Sequence, residues 1–489
     1  MPAVDSLPEV PSLIALARKK RVSLYLVGGY LRDQFLTGSA RPKRAADSRD
    51  LDFIVSREAV AFARAYAKQS RGAFILLDAE SGCARVARRI NGCLWTYDFA
   101  DLRAGDVAGD IKKRDFTINT FVVDLMVLKP GQDILAACFR NVRGRADIKA
   151  RTIRMTGPGA FDDDPLRLLR AYSLAAQTGF TIEARTRAAI AARVGLIRKA
   201  SPERVREELF KVLASSRAAR VIGLMEKSGL LFKVIPQLQL MESVPKGGYH
   251  HLNVWKHSLL ALAEFEKLVK SLGADQELMA YLSAQVGGGH SRAALIKFAI
   301  LLHDTGKPET RRDMPGGRVS FHGHERVGRD IARIICRQYK LSTAERYAIE
   351  DMVALHLRPG YLTNFKSAPE KMVFRFMRDA REEAAAVLLL ALADQRATRG
   401  PLTTPQDIAH YAAIVLPLIN LFFAKKKEKP FVRLIDGHDL IKELQLTPGP
   451  EFKEILAAID EAQHLGKIST REQALELARS ARPLNKGKI

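Results

Sequence analysis

Two hydrophobic rhythms divide this chain. Up to about residue 160, apolar residues come in short runs broken by glycine and charge; beyond it they recur at helical spacing in one segment after another. Leu13 to Lys20 reads as a short amphipathic helix. Leu24-Tyr25-Leu26-Val27 reads as a strand, followed by the permissive turn Gly28-Gly29 and a helix. Ser48 to Phe53 reads as a second strand, Val60–Ser70 as a helix, and Ala73–Leu77, Ala84–Arg88 and Leu94–Phe99 as three further strands. Gly82 and the hairpin pair Asn91-Gly92 separate those three. Arg103–Ile111 reads as a loop, and Val122–Val127 with the 142–155 region would complete a mixed sheet. From Phe161 onward helices are expected, including 202–209 and Leu402–Phe423, with Lys425 to Pro430 as an exposed linker. The pattern therefore predicts an α+β, multidomain chain. A mixed-sheet head over 1–150 precedes a helical neck over 151–240, a third domain over 241–400 and a helical C-terminal region over 401–489.

Length and composition agree with several domains, since 489 residues exceed what one hydrophobic core serves. Apolar content is 47%, and no run comes near the roughly 18 to 20 residues a membrane span requires. The N-terminus lacks the pattern of a signal peptide, so a cytoplasmic protein with no membrane partner is expected. Cys83, Cys93, Cys138 and Cys336 show no C-x-x-C pairing, which argues against a disulfide framework or a cysteine zinc site. Charge changes the picture more. The 78 Lys and Arg against 54 Asp and Glu leave +24, an excess that suits a polyanion held through its phosphates.

Chemistry concentrates in four places. Behind the Gly28-Gly29 turn, a helix N-terminus would face its unpaired N–H groups toward an anion. Asp50 and Asp52, two apart on a strand, project from one face and repel one another unless a hard cation neutralises them. Asp164 and Arg167, three apart in a predicted helix, offer an acceptor and a fixed donor side by side. That pair would match the amino group and ring nitrogen of cytosine or adenine and mismatch uracil and guanine. Most of the eleven histidines fall between 250 and 356, where His and Asp from several helices could hold divalent metal.

G-G-x-x-R-D followed by D-x-D on the next strand resembles the nucleotidyltransferase superfamily, in the branch of class II tRNA nucleotidyltransferases and bacterial poly(A) polymerases. The resemblance implies a polymerase-beta-like head in which Asp50 and Asp52, joined by Asp98 from a later strand, hold two Mg²⁺ ions. Gly28, Gly29 and Arg32 would serve the nucleotide phosphates. Lys113-Arg114-Asp115-Phe116-Thr117-Ile118-Asn119 is similar to the family's R-R-D-F-T-I-N segment. Its basic residues would meet the triphosphate and its polar ones, Asp115 and Asn119, the ribose; Lys113 stands where Arg is usual and lacks the planar fork. Asp163-Asp164-Pro165-Leu166-Arg167 resembles E-D-x-x-R, with Asp163 in place of Glu and Arg170 three residues on. Pro202 to Leu209 is similar to the E-R-I-R-E-E-L helix, whose Arg204 and Glu207 would buttress the nucleotide pocket.

His257, His303-Asp304 and Asp394 resemble the ligand pattern of HD phosphohydrolases, which implies a transition metal such as Ni, Co, Mn or Fe at these four residues. His324 and His356 are candidates for a second metal or a phosphate contact, while His250, His251 and His322 are read as ordinary polar residues. An HD domain of this kind can also persist as an RNA-binding scaffold without hydrolysis. Leu434–Leu440 and Leu446–Pro450 resemble the C-terminal RNA-gripping part of such enzymes. Together these imply addition of C, A or both from CTP and ATP to the 3′ end of tRNA, as full CCA, CC alone or A alone. Poly(A) synthesis is the alternative, and an HD phosphohydrolase whose first half only binds RNA is a further one.

Overall fold

The computed structural model describes residues 7–37, 48–80, 82–103, 105–129, 131–138, 142–244, 252–315, 318–400, 402–428 and 431–480. Two compact units emerge, one of residues 1–212 with 224–234, the other of 213–223 with 235–489.

The first unit begins with helix α1 (Val10–Lys20), strand β1 (Leu24–Val27) and helix α2 (Gly29–Thr37). Strand β2 (Ser48–Val55), helix α3 (Ala59–Ser70) and strands β3 (Ala73–Asp78), β4 (Cys83–Ile90) and β5 (Cys93–Asp101) follow. Helix α4 (Val107–Lys112) and strand β6 (Val122–Asp124) complete the head. The sheet order is β3-β4-β5-β2-β1-β6. Only β2 and β5 run parallel, and their register sets Asp50 opposite Thr96 and Asp52 opposite Asp98. Parallel neighbours cannot be joined by a hairpin, so the β2–β5 connection carries α3, which covers one sheet face. Phe53, Tyr97, Phe99, Phe62 and Tyr66 pack there, with ring centroids 5.4–6.5 Å apart. The fixed aromatic face leaves the alternate side chains of β2 and β5 on the other face.

Two expectations fail beyond β6. The expected strand over 122–127 ends at Asp124, and residues 142–149 form a helix, α5 (Val142–Lys149). Strand β7 (Thr152–Ile153) does not join the main sheet but pairs in parallel with β8 (Thr181–Ile182). Val142–Lys149 (VRGRADIK) reads as strand by its alternation of small or apolar with charged residues, while Thr152–Ile153 is too short to join a long ladder. Helices α6 (Ala160–Asp163), α7 (Arg167–Thr178), α8 (Ala184–Ala191) and α9 (Pro202–Leu213) continue this unit.

Among the described residues the second unit is helical apart from a short hairpin of Arg312–Met314 and Arg318–Ser320. Its central helix, Ala384–Ala397, is buried along nearly its whole length. Helices Val254–Ser271, Arg292–Leu302, Thr343–Leu355 and Pro405–Lys427 pack around it. Pro405–Lys427 corrects the reading of apolar runs: by length and composition it is long and apolar enough to cross a membrane. It is interrupted by Pro417 and buries Val415, Leu418, Ile419, Phe422 and Phe423 against this unit. It also absorbs Lys425, Lys426 and Lys427, expected as linker, into its last turn, where cations oppose the negative helix end. A separate core of Ile435, Leu440, Leu444, Ile455, Ile459, Ala474, Leu475 and Ala478 organises the C-terminal helices.

Candidate active site and metal centre

In the first unit a cavity of about 270 Å³ opens over the β1–α2 turn. Its floor is made by Gly28, Gly29, Asp52 and Asp98 and its walls include Arg103, Asp110, Arg114, Asp115, Asn119, Asp164, Arg167, Arg170 and Arg204. Gly28 has φ +82°, and a Cβ there would lie 2.6 Å from Asp52 Oδ2. Glycine is thus required both by the backbone and by the carboxylate beside it. Asp52 has its pKa raised, first by burial and next by Asp98, with Asp50 adding to it. A cluster that resists its own ionisation in this way suits a divalent cation.

Each carboxylate is differently held. Asp50 is exposed, accepts from Thr96 Oγ1 and does not line the cavity. Asp98 accepts two bonds from Arg85, Nε to Oδ1 at 2.7 Å and Nη2 to Oδ2 at 2.8 Å. Arg85 lies directly across the β4–β5 ladder from it. Sequence reading missed Arg85; the only signal was its position two residues into β4, opposite a charged strand.

Behind the cavity runs a polar chain. Arg32 is buried and donates from Nη1 to Asn119 Oδ1 at 2.9 Å, and pairs with Asp33 at 2.7 Å. Asn119 Nδ2 donates to the Asp115 carboxylate, which also pairs with Arg170 at 2.9 Å. Burial works against charge on Asp115, but Arg170, the Phe116 N–H, Arg167 and Asn119 outweigh it and hold the carboxyl below its usual range. Arg32 therefore supports Asn119 from within instead of lining the cavity. Arg114 is clamped by buried Asp110 at 3.0 Å. Lys113 points away, its Nζ donating to the Arg103 carbonyl at 3.1 Å.

The expected Asp164–Arg167 helical pair does not form. Pro165 disfavours the helical conformation for the residue before it, and Asp164 is extended, with φ −147° and ψ 101°. Helix α6 ends before it and α7 begins at Arg167. Asp164 is held instead by Arg204 of α9, at 2.8 and 3.3 Å. Arg167 donates to the carbonyls of Ala160 and Lys113, at 3.0 and 2.8 Å. All three residues nevertheless line the same cavity, whereas Asp163 is exposed outside its lining.

In the second unit, His257, His303, Asp304, His324, His356 and Asp394 converge from five helices or their ends. Helix Arg292–Leu302 delivers His303 and Asp304 directly past its C-terminus, and Thr343–Leu355 delivers His356 likewise. Gly306 permits the approach of the next helix, because a Cβ there would collide with the His324 carbonyl. His257 Nε2 lies 2.7 Å from Asp394 Oδ1, and His303 Nε2 lies 3.2 Å from Asp304 Oδ2. Lys307 Nζ, which the sequence reading passed over, donates to Asp304 Oδ2 at 2.7 Å; its i,i+3 spacing from Asp304 was the available signal.

Burial disfavours charge throughout this centre. Even so, the Asp304 and Asp394 carboxyls are held well below their usual range, Asp304 by His303 and Lys307, Asp394 by His257 and His303. Against the same burial, His303 is pushed up to about 10 by Asp304 and Asp394. Burial, with His303 and His324 nearby, pushes His356 down to about 3. The donor set fits a divalent metal, since buried Asp304 Oδ1 and His303 Nε2 have no hydrogen-bond partner. His322 is exposed; His250 and His251 lie outside the described residues.

Comparison with known proteins gives the chain its family. The chain is 32% identical over 458 residues to an A-adding tRNA nucleotidyltransferase of Deinococcus radiodurans, covering 92% of this chain and 93% of that one. It belongs to the tRNA nucleotidyltransferase family. A CC-adding tRNA nucleotidyltransferase of Thermus thermophilus is 30% identical over 427 residues, 82% of this nucleotidyltransferase and 87% of that protein. Family models match at residues 179–241 (probable RNA and SrmB-binding site of polymerase A), 254–399 (HD domain) and 327–478 (tRNA nucleotidyltransferase domain 2). The fold agrees with a CCA-adding enzyme complexed with ATP, at TM-score 0.60 and 18% identity over 98% of this chain and 96% of that one. It agrees likewise with the Thermotoga maritima CCA-adding enzyme complexed with tRNA, at TM-score 0.58 and 18% identity over 99% of both. The nucleotidyltransferase thus carries an N-terminal mixed sheet followed by a helical region with an HD domain.

Proposed function

We propose that this nucleotidyltransferase adds C, A or both, from CTP and ATP, to the 3′ end of tRNA without a nucleic-acid template, in the cytoplasm. The observation that carries the reading is the in-register Asp52–Asp98 floor beneath the Gly28 turn, walled by Arg114, Arg167, Arg170 and Arg204. Asp50 and Asp52, with Asp98, would hold two Mg²⁺ ions, which activate a primer 3′-hydroxyl and neutralise the triphosphate. Arg103 and Arg114 supply cationic wall beside that floor. Asp115 and Asn119 present carboxylate and amide to the ribose, backed by Arg170 and Arg32.

Base choice falls to Asp164, Arg167 and Arg204. The Asp164 carboxylate can accept from the exocyclic amino group of C or A, and a guanidinium can donate to the adjacent ring nitrogen. Because Arg204 holds Asp164 in an extended segment, selection is set by a pair bridging α6 and α9 instead of by one helical face. The division into head, neck, HD domain and C-terminal region over the boundaries given above belongs to this proposal. So does a second, metal-dependent phosphohydrolase role for the HD centre, whose metal is drawn from Ni, Co, Mn or Fe.

The test is incorporation of labelled CTP or ATP, with Mg²⁺, into tRNA transcripts ending before CCA, after C or after CC. Finite, ordered addition supports tRNA 3′-end synthesis, and the transcript extended tells CCA, CC and A addition apart. A long A tail on any RNA would replace the reading with poly(A) synthesis. For the HD centre, hydrolysis of 2′,3′-cyclic nucleotides should be lost in Asp304→Ala, and activity indifferent to that substitution would remove the assignment.

A further inference from the structure

The strand register sets three charged side chains in one row across the sheet of the first unit. Arg85 on β4 lies opposite Asp98 on β5, and Asp98 lies opposite Asp52 on β2. Residues directly opposite one another in a ladder share a face. The row therefore lies on the cavity face of the sheet, away from the aromatic residues packed under α3. Asp52 and Asp98 line the cavity, and Arg85 stands outside its lining.

Arg85 meets Asp98 as a fork. Its Nε donates to Oδ1 at 2.7 Å and its Nη2 to Oδ2 at 2.8 Å, so both carboxylate oxygens are engaged. The two side chains are 37% and 25% exposed, and a pair this accessible to water adds little to fold stability. Its effect falls on the cavity floor. Arg114 and Arg170, which also act on Asp52, are each paired with a carboxylate outside the floor, Asp110 at 3.0 Å and Asp115 at 2.9 Å. Arg85 is paired with a carboxylate of the floor itself. Asp50, Asp52 and Asp98 carry three negative charges when ionised, and the Arg85 guanidinium reduces them to two, the charge that one divalent cation neutralises.

We infer that Arg85 is a positioning residue of the cation site, the counter-charge that keeps Asp98 from binding a cation until a nucleotide brings one. In the nucleotide-free enzyme Asp50 and Asp52 serve a single cation. The guanidinium satisfies both Asp98 oxygens and opposes further positive charge beside them. A triphosphate carries its own cation, and its negative charge offsets that opposition; Asp98 then has its remaining lone pairs to offer. A lysine would supply the charge without the two parallel bonds, so a planar guanidinium suits the position. The inference deepens the proposed nucleotidyl transfer and rests on its assignment of Asp50 and Asp52 to divalent cation.

The experiment is calorimetric titration of the nucleotide-free full chain with Mg²⁺. The chain carrying Asp50→Asn and Asp52→Asn serves as the blank for binding elsewhere. The wild type should bind one Mg²⁺ beyond that blank. Arg85→Ala should bind it about tenfold more tightly, because Asp98 is released as a further ligand. Asp98→Asn should bind it about tenfold more weakly, because Arg85 is left uncompensated beside the site. The double variant should return to within about twofold of the wild type, since both charges are gone. Arg85→Lys should fall between wild type and Arg85→Ala. Two lesions of a purely structural pair would instead weaken binding in both single variants. Affinity unchanged or weakened in Arg85→Ala, or unchanged in Asp98→Asn, overturns the counter-charge role. A wild type indistinguishable from the blank overturns the cation-site reading beneath it.

Discussion

Asp52 meets three demands at once. It must lie beside a glycine whose Cβ would strike it, opposite Asp98 in a parallel register, and next to Asp50 on the same strand face. No structural gain accompanies packing carboxylates this closely, because burial and Asp98 together raise the pKa of Asp52. Asp52→Ala or Asp50→Ala should therefore lower incorporation of CTP and ATP alike, by about a thousandfold, while thermal stability is kept or slightly raised. Steady-state assays with each nucleotide and a melting curve check this. Arg204→Ala makes a different prediction. It frees the Asp164 carboxylate without touching Asp52, so the rate with correct nucleotides should fall by about tenfold while misincorporation of UTP and GTP rises. Equal loss with all four nucleotides would show that Arg204 only holds the pocket together.

Among the elements, those with their own local signals were legible in the sequence. The β1–α2 turn needs Gly28, and the β4–β5 hairpin needs Asn91-Gly92, both of which adopt positive φ. Residue type alone permits these backbone conformations, glycine by lacking a Cβ and asparagine by tolerating positive φ, so their position could be read directly. The break between α6 and α7 could also have been read, because Pro165 restricts Asp164, but a proline near a helix start is equally compatible with a continuous helix. In the folded chain the partner of Asp164 is Arg204, 40 residues away. Pairings at such separations, like Arg85 with Asp98 across a ladder, carry no one-dimensional pattern.

Helix Thr343–Leu355 shows the local kind. Ser342 and Glu345 form a reciprocal capping box, and Glu345 also accepts from the backbone and ring of His290 at 2.9 and 2.7 Å. Burial opposes charge on Glu345, yet these bonds bring its pKa down to about 2 from 4.5. A depressed carboxyl stabilises the fold fully above its unfolded pKa and loses that contribution as pH falls through the folded one. The difference in melting temperature between the wild type and Glu345→Gln should thus be constant above about pH 5 and close between pH 4.5 and 2. A gap that persists at the acid end would mean that the carboxylate charge contributes nothing there.

For the whole molecule, +24 of net charge is the largest single electrostatic fact. If RNA is held mainly through phosphates, affinity for tRNA should fall steeply and log-linearly with salt. The fall should be about a thousandfold between 50 and 200 mM for some six phosphate contacts, readable by filter binding. A flat salt response would assign recognition to neutral contacts. The central claim is that chemistry and base choice are divided between the two sides of one cavity, carboxylates on β2 and β5, selection on the α6–α9 bridge. One measurement addresses it directly: single-turnover incorporation of each of the four nucleotides into tRNA lacking its terminal nucleotides, by wild type, Asp52→Ala and Asp164→Ala. The account predicts that Asp52→Ala lowers every incorporated nucleotide alike, whereas Asp164→Ala keeps measurable incorporation but narrows the preference for C and A over U and G. Incorporation that survives in Asp52→Ala, or unchanged preference in Asp164→Ala, would contradict it.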